Sequence, residues 1–203
     1  MLAPLAGLLV MLSACGDIIR VVPADTPTSQ ITATPQISET PTGEALHHPR
    51  RIVAEAINLD APVVDMGWQV SQQGDQFISE WAMPENEAGW HRNSAVPGQG
   101  SNVVISGHNA STGGQVFAAL DDLQLGDEII LETDQAELIT YRVVEKNIIR
   151  TFAASAEAQQ YLLDVTQPTP REQLTLITCW PSWTNTHRLI VIALPAPVLP
   201  PVP

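Results

Sequence analysis

The sequence predicts a mainly β protein, a closed or nearly closed barrel of about eight strands with short helices. Three observations carry this. Between Arg50 and Leu194 the apolar residues fall in short β-branched runs bounded by Gly, Pro, Asn and Asp. Helical spacing shows in two brief stretches only, Gln115–Leu123 and Ser155–Leu163. The prolines, 17 in 203 residues, gather outside that region.

Taken in order, Arg51–Ile57 and Pro62–Met66 read as strands around a turn at Asn58–Ala61. Gln69–Gly74 reads as a polar turn, and Pro84–Gly89 as a loop before Trp90. Asn102–Ser106 is a strand that ends at Gly107-His108-Asn109. In Gln115–Leu123, Val116, Leu120 and Leu123 give one apolar helical face, closed before Gly126. Gly126-Asp127 turns the chain into Glu128–Glu132, followed by strands at Leu138–Glu145 and Ile148–Arg150. Ser155 caps the second helix, since its hydroxyl can accept from an orphan N–H of the first turn. Leu174–Thr178 then runs to Cys179, where Trp180-Pro181 stops it, and Leu189–Leu194 is the last strand.

Outside the barrel the chain divides into 1–15, 16–49 and 196–203. Leu2–Leu12 is apolar but shorter than the about 20 residues that span a bilayer. With the small residues after it, the stretch suits a secretory signal peptide. Leu12-Ser13-Ala14-Cys15 resembles the lipobox of bacterial lipoproteins, which implies cleavage before Cys15 and a lipid on its sulfur. An ordinary signal peptide and a buried apolar helix are the other readings of this stretch. Residues 16–49 are rich in Thr and Pro, as in Thr26-Pro27-Thr28 and Thr40-Pro41-Thr42, and read as an unfolded tether. Such a segment spans roughly 30 Å when flexible and about 100 Å when extended. His47 and His48 end it. The Pro-rich tail, 196–203, reads as irregular.

The net charge of −13 excludes nucleic acid as a partner, because a polyphosphate needs a basic face, and equally excludes docking on an anionic membrane by charge. No acidic or Cys/His cluster has metal-ligand spacing, so neither metal nor cofactor is expected. With two cysteines in unlike contexts no disulfide framework exists. If Cys15 carries lipid, Cys179 is a lone thiol in an oxidising compartment, a liability unless used.

If Leu174–Thr178 and Leu189–Leu194 pair, the loop Trp180–His187 sets Cys179 beside Arg188 at one strand end. A cysteine nucleophile needs a thiolate and a base or imidazolium partner. His187 adjoins Arg188 on a strand, so the two face opposite ways. His91, in a loop after Trp90, faces the substrate or supports a residue that does. His108 is the strongest choice, held at a rim by the rigid run Val103–Ile105. Singly, Cys179 also reads as a small buried apolar residue, His108 as a turn residue and Arg188 as a solvated strand residue.

Together these residues resemble the signatures of the sortases. Gly107-His108, Thr178-Cys179 and Arg188 after a short loop carry the likeness. So do Arg51-Ile52-Val53, Ile57-Asn58-Leu59-Asp60-Ala61-Pro62-Val63, Pro97-Gly98, Asn102 to His108, Val116 to Leu120, and Leu125-Gly126-Asp127. The resemblance implies a sortase catalytic domain over 50–195 and cysteine transpeptidation. Cys179 then attacks a carbonyl in a sorting signal similar to Leu-Pro-x-Thr-Gly, giving a thioester that an amine on the cell wall or another protein resolves. His108 is implied as acid and base, and Arg188 as the clamp on substrate carbonyls or the oxyanion. Thr178, Asn109 and Trp180 are supporting residues, with Thr178 facing away from Cys179 in strict alternation. Trp180 and Trp183 either line an acceptor groove or cap the barrel end. The implied location is the outer face of the cell membrane, lipid-anchored at Cys15. A cysteine endopeptidase using water, or an inert lipid-anchored binding module, are the rival functions.

Overall fold

The computed structural model describes residues 47–73, 76–109, 115–184 and 186–197, all within the unit Gly43–Pro203. Cys15, most of the expected tether and the end of the tail lie outside the described residues. Among the described residues there are ten strands: β1 (Pro49–Ala54), β2 (Leu59–Met66), β3 (Trp68–Gln73), β4 (Gln76–Trp81), β5 (Ala88–His91), β6 (Asn102–Ser106), β7 (Glu128–Thr133), β8 (Leu138–Arg150), β9 (Gln173–Trp180) and β10 (His187–Pro195). One α-helix, α1 (Ala156–Asp164), joins them.

Eight of the strands close a barrel in the order β1-β2-β5-β6-β9-β10-β8-β7, while β3 and β4 form a separate hairpin. The expected mainly β barrel of about eight strands is therefore the fold. Alternate residues point inward: Val103 and Ile105 from β6, Leu174 and Leu176 from β9, Leu189 and Val191 from β10, all fully buried in the core. Each such side chain contributes about 1.5–3 kcal/mol on burial.

Two pairings are parallel, β2 with β5 and β6 with β9. The second decides where the site lies. Parallel strands end at the same rim, so the residues leaving β6 and β9 emerge together. The antiparallel partner β10 must then begin at that rim.

Several elements depart from their expected bounds. β1 opens at Pro49, the expected end of the tether, and stops at Ala54. Glu55–Ile57 is a 3₁₀ turn, and left-handed Asn58 returns its N–H to the Glu55 carbonyl at 3.1 Å. β2 thus starts at Leu59 and runs through Pro62. The proline is tolerated because it stands where the neighbour changes, β1 pairing up to Pro62 and β5 from Val63. The expected loop Pro84–Gly89 stops short, because Ala88 already opens β5, a strand buried throughout and too short to show a period.

Gln69–Gly74 is no simple turn, since Trp68–Gln73 pairs with Gln76–Trp81. This hairpin is a sheet separate from the barrel, and Trp68 and Val70 on its first strand are exposed. The expected helix over Gln115–Leu123 is instead a series of turns ending in a 3₁₀ turn at Leu120–Asp122. Its buried residues Phe117, Leu120 and Leu123 recur every three positions, the period of a 3₁₀ helix rather than an α-helix. Leu138–Glu145 and Ile148–Arg150 are one strand. Lys146, inside it, donates to the carbonyls of Asp121 and Leu123, both at 2.8 Å, so a polar residue that resembles a break is partnered.

The second helix matches its expectation. Ser155 caps α1, its Oγ accepting from the Ala158 N–H at 3.3 Å. Tyr161 on α1 donates to Glu145 Oε1 at 2.9 Å and accepts from Asn147 Nδ2 at 2.7 Å, docking the helix on β8. Among the described residues, no helix is long and apolar enough to cross a membrane.

Candidate active site

Cys179 and Arg188 face one another directly across the β9–β10 pair. On the other flank of β9, Ser106 is level with Ile177, and the Gly107 N–H donates to the Ile177 carbonyl at 3.1 Å. Two residues on come His108, just past the end of β6, and Cys179 on β9. The register sets Cys179 and Arg188 side by side on the outer face of the barrel wall, and the chain leaving β6 brings His108 to the same rim. All three line one groove of about 460 Å³.

The row is tightly braced. Thr178 turns inward, opposite to Cys179, and its Oγ1 donates to the Gly107 carbonyl at 2.7 Å. Asn109, buried, donates from Nδ2 to the Cys179 carbonyl at 3.2 Å. The Phe117 N–H donates to the His108 carbonyl at 2.9 Å. Gly107 admits this packing, since a Cβ there would lie 2.6 Å from Val116 Cγ1 and 2.7 Å from Phe117 Cδ2. Arg188 is oriented by donating from one terminal nitrogen to the His187 carbonyl at 3.1 Å.

The two tryptophans part company. Trp180, on the inward phase of β9, packs against the core and donates to Asp121 Oδ2 at 3.4 Å. Its ring meets His187 edge-on at 5.7 Å. Trp183 is exposed. The barrel-end cap describes Trp180 better than the acceptor groove does.

Other lining residues are legible only afterwards. Ser106, Ile177 and Ile190 stand two positions from His108, Cys179 and Arg188 respectively, so strand alternation puts them on the same outer face. Trp81, Met83, Thr151, Leu162 and Thr166 also line the groove. His91 also lines the groove, but from strand β5 rather than from a loop. Among the described residues no three Cys, His, Asp or Glu gather as metal ligands. What the row offers is a thiol between an imidazole and a permanent cation, in an apolar trough, which suits acyl transfer through a covalent thioester.

The fold and the groove thus define a closed β-barrel with a cysteine, a histidine and an arginine lining one groove at its rim. Comparison with known proteins agrees. Residues 52–196 match the sortase domain. Sortase A from Corynebacterium diphtheriae, as a lid mutant, is similar at 27% identity over 75% of this chain and 72% of that one, with TM-score 0.57. Sortase C1 from Streptococcus agalactiae is similar at 25% identity over 73% and 67%, with TM-score 0.54. Sortase C-1 from Actinomyces oris, at 21% identity over 73% of each chain and TM-score 0.54, speaks for the fold alone. No curated protein matches the chain. This chain belongs to the sortase family, a family of extracytoplasmic, cell-surface cysteine transpeptidases.

Proposed function

We propose that the chain is a surface-held transpeptidase in which Cys179 is the nucleophile, His108 the general acid and base, and Arg188 the electrostatic clamp. The observation that carries this is one groove lined by thiol, imidazole and guanidinium, from β9, the segment just past β6, and β10. The Cys179 thiolate attacks a backbone carbonyl of a sorting signal similar to Leu-Pro-x-Thr-Gly. Negative charge gathers on the carbonyl oxygen, and Arg188, fixed beside Cys179, stabilises it. The C–N bond breaks, the amine leaves with a proton from His108, and a thioester remains on Cys179. An incoming amine gives a proton back to His108, attacks the thioester, and the thiolate leaves as the new amide forms.

Residues 1–15 serve as the export signal, Cys15 as the lipid anchor, and the segment from 16 to the start of β1 as a stalk that carries the domain off the outer face of the membrane. The acyl acceptor is an amine of the cell wall or of another protein.

The test mixes the protein with a Leu-Pro-x-Thr-Gly peptide and an amine. A ligated product and a mass increment on Cys179 equal to the acyl fragment are expected, both lost in Cys179→Ala. Product formation that survives this substitution would refute the mechanism. Cleaved acid in place of amide when amine is abundant would make water the acceptor.

A further inference from the structure

Beneath the row of His108, Cys179 and Arg188 runs a second row on the same face, formed by Ser106, Ile177 and Ile190. Two of the three are aliphatic. Ser106 is the exception, and it is not isolated: its Oγ lies 2.7 Å from Nε2 of His91. Both residues are more than nine-tenths buried, at 4% and 5% exposure. The His91 ring lies against Trp81 at 4.1 Å between centroids, and Trp81 stacks on Trp68 at 4.0 Å. The aromatic stack fixes the imidazole, and the imidazole fixes the hydroxyl.

A polar pair in an apolar trough is costly to keep unless its hydrogen bonds are made. The bond between His91 and Ser106 uses only part of the hydroxyl's capacity of one donor and two acceptor sites. Burial also pushes the His91 imidazole down to about 4. At neutral pH the pair is therefore uncharged and adds no second cation to the groove that Arg188 lines. A fixed, neutral hydroxyl with spare capacity suits a neutral ligand that arrives with its own unsatisfied hydrogen-bonding groups. A peptide backbone is such a ligand, and it loses its water as it enters the groove.

We propose that Ser106 is a specificity-determining contact for one backbone amide of the acyl-donor peptide, with His91 as the residue that positions it. This rests on the donor class argued under the proposed function. Ser106 then selects for the peptide's course along the groove, and the aliphatic neighbours Ile177 and Ile190 for its side chains.

The experiment measures binding separately from chemistry. The unreactive Cys179→Ala protein is titrated with Leu-Pro-x-Thr-Gly peptides in which each backbone amide in turn is replaced by an ester. Affinity is read by tryptophan fluorescence, with Trp81 in the wall of the groove. One ester peptide is expected to bind about tenfold more weakly than its parent. With Ser106→Ala added, parent and that ester peptide are expected to bind equally, because the contact is already gone. His91→Phe keeps a ring on Trp81 but frees the hydroxyl, and is expected to give part of the same loss at the same amide. Thermal melting verifies that each variant folds. A Ser106→Ala loss equal for every peptide, or no loss, would overturn the proposal, as would the absence of any peptide binding. Peptides that bind with this pattern, yet form no Cys179 thioester in the unsubstituted protein, would refute the transpeptidase reading and leave the contact standing.

Discussion

Thr178 Oγ1 donates to the Gly107 carbonyl at 2.7 Å, tying the residue before Cys179 to the residue before His108 across 71 positions of sequence. Thr178 is buried, and its side chain takes the inward phase of β9, opposite to that of Cys179. Thr178→Val keeps the shape and removes the donor, leaving a buried carbonyl unsatisfied. It is expected to lower stability by about 1–3 kcal/mol. Because the bond joins the neighbours of the proposed nucleophile and acid–base residue, kcat is expected to fall about tenfold with little change in KM. A variant that melts earlier yet keeps full kcat would restrict Thr178 to stability.

Gly107 has no room for a methyl group between its strand and the rings and methyls of Val116 and Phe117. Gly107→Ala is expected to cost about 1–3 kcal/mol through overpacking and to displace His108, the next residue. Coupling Gly107→Ala with Phe117→Leu makes space, and is expected to recover part of the activity. Failure of that pair to recover any would show that the clash is not the cause.

Arg188→Lys preserves charge but removes the planar fork and its bond to the His187 carbonyl. The expected result is a fall of about a hundredfold in kcat/KM for the donor peptide, since a lysine cannot be held in the same geometry. Protein stability is expected to change by less than about 1 kcal/mol at this half-buried rim position. An equally active lysine variant would remove Arg188 from the role of directed clamp.

The His91 imidazole is held from its ordinary value of 6.5 down to about 4 by burial. The unfolded chain therefore binds a proton between those values that the folded one refuses, and stability must fall as pH drops from 6.5 to 4. The loss is on the order of 3 kcal/mol, complete below pH 4 and absent above 6.5. Urea midpoints measured from pH 7 to 4 are expected to fall more steeply for the natural chain than for His91→Phe. Equal slopes would mean that His91 is protonated without cost in the fold.

Much of this was written locally. A period of two is set by strand geometry, so it marked Asn102–Ser106, Leu174–Cys179 and Leu189–Leu194 as strands and turned Thr178 away from Cys179 and His187 away from Arg188. The hairpin from β9 to β10 has a short loop, so Cys179 and Arg188 could be paired by sequence alone. The hairpin β3–β4 was not legible, because strands outside the barrel owe nothing to its core. Nor was the 3₁₀ turn at Leu120–Asp122, where three-residue spacing passes for an amphipathic helix over one short stretch.

By itself, then, the sequence determined a β-rich domain, a thiol beside a cation at a strand end, and a histidine at another. Which two strands run side by side was decided by tertiary structure. The parallel pairing of β6 with β9 joins residues far apart in the chain, and no turn between them dictates it. That pairing alone brings His108 level with Cys179. It also builds the row beneath, where Ser106 meets a histidine from β5 that no local pattern links to it. Alternation is a property of one strand, whereas a groove across four strands exists only once their order and register are set by burial of their common inner face.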